Sequence, residues 1–138
     1  LDQLDSNAAS ALIFGTGGAA KAVHYALNQR GISSKMLTRK PGPLNYSTLS
    51  PEDFKSHKLW INCTPLGGPK YKEEHLPLPN GVLSPEFAIF DLIYHPLPTP
   101  LLKTANDAGA RTVDGRIMLT EQARKAWELF RAAYYKNL

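Results

Sequence analysis

The clearest chemistry in the chain lies in the stretch Phe14-Gly-Thr-Gly-Gly-Ala-Ala-Lys-Ala22. Gly15, Gly17 and Ala20 match G-x-G-x-x-G/A and stand where an apolar run gives way to a helical pattern. Each position has a physical task. Gly15 permits a tight turn, Gly17 lets backbone N–H groups approach a pyrophosphate, and the small Ala20 lets helix and strand pack closely. Gly18 and Ala19 keep the helix entrance uncluttered, and the helix N-terminus adds partial positive charge. The same small residues also suit a turn that merely closes a tight fold.

A second set of residues bears on which dinucleotide such a turn would hold. A domain selective for NAD places Asp or Glu at the end of the second strand to accept hydrogen bonds from the ribose 2′-OH. Here that position reads Thr38-Arg39-Lys40, and no acid follows before Glu52. A guanidinium there can stack on adenine and pair with a 2′-phosphate, with Lys40 adding charge, so the residues favour NADP over NAD. A solvated Arg-Lys pair in a turn before proline is the plainer alternative.

These residues need elements to position them. Ala11–Phe14 reads as a buried strand, Ala19–Arg30 as a helix stopped by Gly31, and Ser34–Thr38 as a second strand. After the turn RKPGP, Leu44–Leu49 reads as a short edge strand. Ser50-Pro51-Glu52-Asp53 has the form of a helix start, and Lys58–Cys63 of a further strand. Thr64–Pro85 is a long loop rich in proline and glycine. Phe87–Tyr94 is a strand, Leu101–Ala108 a helix stopped by Gly109, Arg111–Val113 a last strand, and Leu119–Tyr135 a closing helix with Ala123, Ala126, Trp127, Phe130 and Ala133 at helical spacing. Strands alternating with helices, without hairpin turns, predict an α/β fold: a doubly wound parallel sheet of Rossmann type with helices on both faces and strand order 3-2-1-4-5-6. Ligands of such a sheet collect outside the carboxyl ends of its strands.

Composition narrows the class without deciding it. The 138 residues are 43% hydrophobic and 20% charged, as expected of one globular domain. A net charge of +4 with scattered basic residues suits an anionic small molecule and gives little support to a nucleic-acid surface. Cys63 is the single cysteine, which excludes an internal disulfide, and no grouping of residues has metal-ligand spacing. No apolar run is long enough for a membrane span and no signal-peptide pattern is present, so the expectation is a soluble cytoplasmic protein without membrane partners. The opening LDQLDSNAAS, without an initiator methionine, reads as a linker or frayed helix end belonging to a longer protein.

Four stretches taken together resemble a known family in order and spacing: GTGGAAKA at 15–22, NCTPLGG at 62–68, DLIYHPLPTPLL at 91–102 and DGRIMLTEQARKAWELF at 114–130. They resemble the C-terminal NADP-binding domain of the shikimate/quinate dehydrogenases, across nearly the whole chain. The resemblance implies that Asn62, Thr64 and Pro65 border the cofactor, that Gly115 and Met118 line the nicotinamide pocket, and that Tyr94 and Gln122 reach the substrate. Read without the resemblance, Asn62 and Thr64 suit strand-terminal caps, Tyr94 a half-buried aromatic, Met118 the core, and Gln122 a surface helix position. Thr99 before Pro100 is an N-cap, and Asp91 receives no chemical role.

The implied activity is reversible, NADPH-dependent reduction of 3-dehydroshikimate to shikimate, a step toward aromatic amino acids. The alternatives are a quinate/shikimate dehydrogenase and a noncatalytic nucleotide-binding paralogue. Two departures stand out. The family's N-x-T-P-x-G-M ends here in Gly68, which removes a methionine contact and predicts a looser loop. The N-terminal domain that carries the family's catalytic lysine and aspartate has no counterpart in the chain, so no catalytic residue is assigned, and the substrate would be shared with that missing domain. His95 is the one histidine near the rim.

Overall fold

A computed structural model describes residues 8–136, so most of the expected N-terminal linker lies outside the described residues. The first strand, β1 (Ser10–Phe14), is buried on both faces, which is why its sequence is a continuous apolar run rather than an alternating one. Around it the chain places α1 (Gly18–Asn28), β2 (Ser33–Leu37), α2 (Pro51–Ser56), β3 (Leu59–Asn62), β4 (Ala88–Asp91), α3 (Pro100–Asp107), β5 (Arg111–Val113) and α4 (Gly115–Lys136). All strand pairs are parallel, and the order across the sheet is β2-β1-β3-β4-β5.

This is the expected doubly wound sheet with one strand fewer. Leu44–Leu49 forms no strand. A single bridge joins Thr38 to Asn45, and the chain then turns into a 3-10 helix at Tyr46–Thr48. The cause is local: Pro41 and Pro43 lack N–H donors, and the Asn45 side chain takes the N–H of Ser47, competing with any ladder. The expected order therefore stands once that third strand is removed.

Two apolar layers sandwich the sheet. Leu12, Phe14, Leu37 and Trp60 face α2, α3 and the long loop, where Phe54, Leu76, Val82 and Leu102 meet them. Phe14, Phe54, Trp60 and Phe87 form a chain of ring contacts, and the Trp60 indole N–H donates to the His57 carbonyl at 2.7 Å. On the opposite face Ala11, Ile13, Leu59 and Ile61 meet Ala20 and Leu27 of α1. The long loop after β3 has no regular structure, but Leu66, Leu76 and Val82 bury it against α3 and the sheet.

One strand and one helix near the rim have bounds that differ from expectation. β4 stops at Asp91, because the Asp91 carboxylate accepts the N–H of Ile93 and turns the chain out of the ladder. α4 starts four residues earlier than its apolar periodicity suggests, at Gly115, where Asp114 Oδ1 accepts the N–H of Arg116. Beyond its first turns the apolar side of α4 is uncovered among the described residues: Trp127 is 66% and Phe130 73% exposed. No described helix is long and apolar enough to cross a membrane.

Gly115 joins α4 to the sheet. Its N–H donates to Ile93 O at 3.0 Å, and a Cβ built on it would lie 2.0 Å from Leu92 O. Backbone cannot yield there as a flexible side chain would. Gly115→Ala is therefore expected to cost about 3 kcal/mol, read from urea unfolding midpoints, by forcing α4 away from the β4 rim.

Candidate functional site

The carboxyl ends of β1, β2 and β3 enclose an open groove of about 360 Å³, lined by Gly15, Thr16, Gly17, Thr38, Arg39, Lys40, Tyr46, Cys63, Thr64 and Pro65. Gly15 holds φ +116°, and a side chain there would press on Cys63 O at 3.1 Å, so the turn and the close approach both require glycine. Gly17 caps α1 with no side-chain hydrogen bond, and the first turn of α1 carries no acid. The leading N–H groups of α1, beginning at Gly18 and Ala19, are thus open to an anion.

Across the groove, Arg39 and Lys40 are exposed, and among the described residues no carboxylate pairs with either. The Thr38 hydroxyl accepts the Lys40 N–H at 3.1 Å and so serves its own turn. Beneath them Tyr46 is 6% exposed and tilts against Phe14. Burial raises its phenol pKa, and the Arg39 charge partly opposes that shift.

Below the groove lies a buried polar knot. Asn62 and Asp91 are register partners at the ends of β3 and β4, and both are 0% exposed. Asp91 Oδ1 accepts the Asn62 Nδ2–H at 2.9 Å and the Ile93 N–H at 3.1 Å; Oδ2 accepts the Thr99 hydroxyl at 2.6 Å. Thr99 Oγ1 in turn accepts the N–H of Leu102 and caps α3. Asn62 Oδ1 accepts both the Thr64 N–H (3.0 Å) and the Thr64 hydroxyl (2.7 Å), while Nδ2 also donates to Leu66 O (3.3 Å).

Every hydrogen-bonding group of the Asn62 amide is therefore committed inside the protein. Asn62 supports the groove from below, and Thr64 and Pro65 form its wall. The turn that follows is tight rather than loose. Gly68 N–H donates to Pro65 O at 3.0 Å, and a Cβ at Gly68 would lie 3.0 Å from that oxygen and 3.1 Å from Ile93 Cδ1. Gly68 thus replaces a side chain with backbone packing, which corrects the expectation of a looser loop.

The other residues singled out in the sequence sit along the neighbouring rim, outside this groove. Tyr94 is 52% exposed beyond the end of β4; Gly115 is buried against Leu92 and Ile93; Met118 is half-buried against the second apolar layer; and Gln122 is exposed on α4. His95 is exposed and, among the described residues, makes no side-chain hydrogen bond. Asn45, Tyr46 and Cys63 were missed by sequence reasoning. The first two fall in the segment read as a strand, and a lone cysteine after a strand carries no signal of its own.

No protein-family profile matches the chain. Individual proteins do. The NADP(+)-dependent shikimate dehydrogenase of Haloarcula marismortui is 33% identical over 93% of this chain and 52% of its own length, and that of Ignicoccus hospitalis 31% identical over 99% and 55%. The chain is homologous to shikimate dehydrogenases over about half their length. Among solved structures, the Thermus thermophilus shikimate 5-dehydrogenase in complex with NADP(H) and shikimate aligns with TM-score 0.72 and 30% identity, covering 86% of this chain and 48% of that one. The shikimate dehydrogenase likeness thus rests on sequence and fold together.

The knot and the cysteine beside it give two expectations. Burial raises the Asp91 pKa, against the three donors that lower it. A raised native pKa means that ionising Asp91 costs stability as pH climbs above its ordinary 3.8. The native protein should therefore lose stability relative to Asp91→Asn as pH rises through that range, while Asp91→Ala, which strands three donors, should cost about 3 kcal/mol at neutral pH; urea unfolding of the three proteins across pH 4–8 measures both. The Cys63 thiol is pushed up to about 12 by burial and by the Asp91 charge. Alkylation by iodoacetamide at pH 8 should accordingly run far slower in the folded protein than in urea.

Proposed function

We propose that this chain is the NADP-binding half of an oxidoreductase of the shikimate dehydrogenase type. The whole protein would carry out reversible hydride transfer between NADPH and the carbonyl carbon of 3-dehydroshikimate. The observation that carries the reading is one groove with helix N–H groups lacking a side-chain cap at one end and, at the other, two cations that no carboxylate pairs with among the described residues. That spacing of positive potential suits a dinucleotide with a pyrophosphate and a 2′-phosphate, and the groove's donor set fits NADP.

In this reading Gly15, Gly17, Gly18 and Ala19 hold the pyrophosphate through backbone N–H groups. Arg39 and Lys40 bind the 2′-phosphate, with Thr38 shaping their turn. Thr64 and Pro65 form the wall along which the cofactor extends, Asn62 fixing that wall from beneath. Gly115 and Met118 sit on the rim toward the nicotinamide, and Tyr94 and Gln122 toward the substrate. When bound, the cofactor supplies hydride chemistry, while the chain binds and orients it.

Two features support a second half. The chain spans about half the length of the curated relatives it matches. Leu119, Trp127, Phe130 and Tyr134 also leave a large apolar area of α4 uncovered among the described residues. The substrate cleft would form between the Tyr94 and Gln122 rim and that other half, which would supply the proton-transfer groups.

In the full natural protein, Arg39→Asp is expected to weaken NADP(+) binding about 100-fold and NAD(+) binding little, measured by calorimetric titration. Steady-state assay of the same protein tests the activity. Unchanged NADP(+) affinity would sink the 2′-phosphate assignment, and absence of turnover of both shikimate and quinate with either cofactor would sink the enzyme reading.

A further inference from the structure

The cation pair at the end of β2 is held by a residue that itself has no charge. Asn45 Nδ2 donates to Arg39 O and to Lys40 O, both at 2.9 Å, while Oδ1 accepts the N–H of Ser47 at 2.8 Å and its hydroxyl. All four positions of the amide are used, and two carbonyls opposite one NH₂ fix its orientation. The clip is anchored at both flanks. Thr38 N–H donates to Leu44 O at 2.8 Å, Tyr46 N–H donates to Thr38 O at 3.2 Å, and the Tyr46 ring packs against Phe14 in the core.

Carbonyl oxygens carry partial negative charge, and two of them facing a phosphate dianion would oppose its binding. By engaging both, Asn45 turns the 39–40 backbone so that its negative ends point to the amide. The Arg39 and Lys40 side chains are left lining the groove without a carboxylate partner among the described residues.

We infer that Asn45 is the positioning residue that sets this protein's preference for the 2′-phosphorylated dinucleotide, acting through the Arg39-Lys40 turn and not by contact with the pyrophosphate end. The inference rests on Arg39 and Lys40 being the 2′-phosphate site. It goes further in making selectivity depend on an uncharged amide outside the glycine motif. A residue that merely stabilised the fold would affect both cofactors alike, so the diagnostic quantity is the ratio of the two affinities.

The test is calorimetric titration of the full natural protein with NADP(+) and with NAD(+), for the unaltered protein, Asn45→Ala, Asn45→Asp and Arg39→Asp. Asn45→Ala should weaken NADP(+) about tenfold and NAD(+) less than about twofold. Asn45→Asp keeps an acceptor for Ser47 but cannot donate to the two carbonyls, and it adds negative charge, so its NADP(+) loss should be larger with NAD(+) binding again retained. Retained NAD(+) binding also reports that each variant is folded. Should Arg39→Asp lower NADP(+) affinity while both Asn45 variants leave the NADP(+)/NAD(+) ratio unchanged, the clip is overturned and the cation site survives. Should Arg39→Asp itself leave NADP(+) binding unchanged, the 2′-phosphate site fails and the clip fails with it.

Discussion

The rim of this domain is organised by one carboxylate removed from water. Asp91 ends β4 at 0% exposure and receives three hydrogen bonds, from β3, from the turn that follows it and from the cap of α3. Burying a charge in this way is unfavourable unless every donor is in place. Here burial raises the carboxyl pKa, against the three donors that lower it. Its polar neighbours are tied together: Asn62 and Thr99 are buried, Thr64 is half-buried at the groove wall, and their hydrogen bonds leave no buried side-chain polar atom without a partner among the described residues. Through that closure the loop after β3, the start of α3 and the turn toward Tyr94 share one frame of reference.

The groove above the knot is assembled from two mechanically different parts. The glycine turn and the first turn of α1 belong to the sheet, since Gly15 N–H donates to Leu37 O at 2.9 Å and the turn presses on the backbone after β3. The cation side belongs to a loop joined to the sheet by one bridge and by Tyr46. A rigid cradle and a separately held pair of charges can respond to different parts of the same ligand.

What could be read from the sequence, and what could not, follows from how local each cause is. The parallel α/β class, the β1 to α1 turn, the Ser50 cap and the Thr99 cap depend on neighbours in the chain, so residue type and spacing reveal them. Leu44–Leu49 misled because its alternation suits a strand, whereas the flanking prolines and the Asn45 side chain divert its hydrogen bonds. Asn62 looked like a groove contact because its position on the chain is right, yet its burial depends on Asp91, twenty-nine residues away. Gly68 was read by the side chain it lacks, when the distance from Pro65 O to an added Cβ, visible only in three dimensions, explains the glycine. In α4 the helical spacing was legible; that its apolar side has no cover within these residues was not.

The dimensions of α4 have a mechanical meaning. Twenty-two helical residues span about 33 Å, roughly twice the length of a five-residue strand. Among the described residues its tight attachment lies at the near end, where Gly115 meets the backbone of Leu92 and Ile93 and Met118 packs against the second apolar layer. The helix is therefore a lever with its fulcrum at the rim of the sheet. A displacement of its far end would reach Ile93 and Tyr94 as a smaller displacement, so the rim of the sheet is mechanically coupled to a point some 30 Å along the helix.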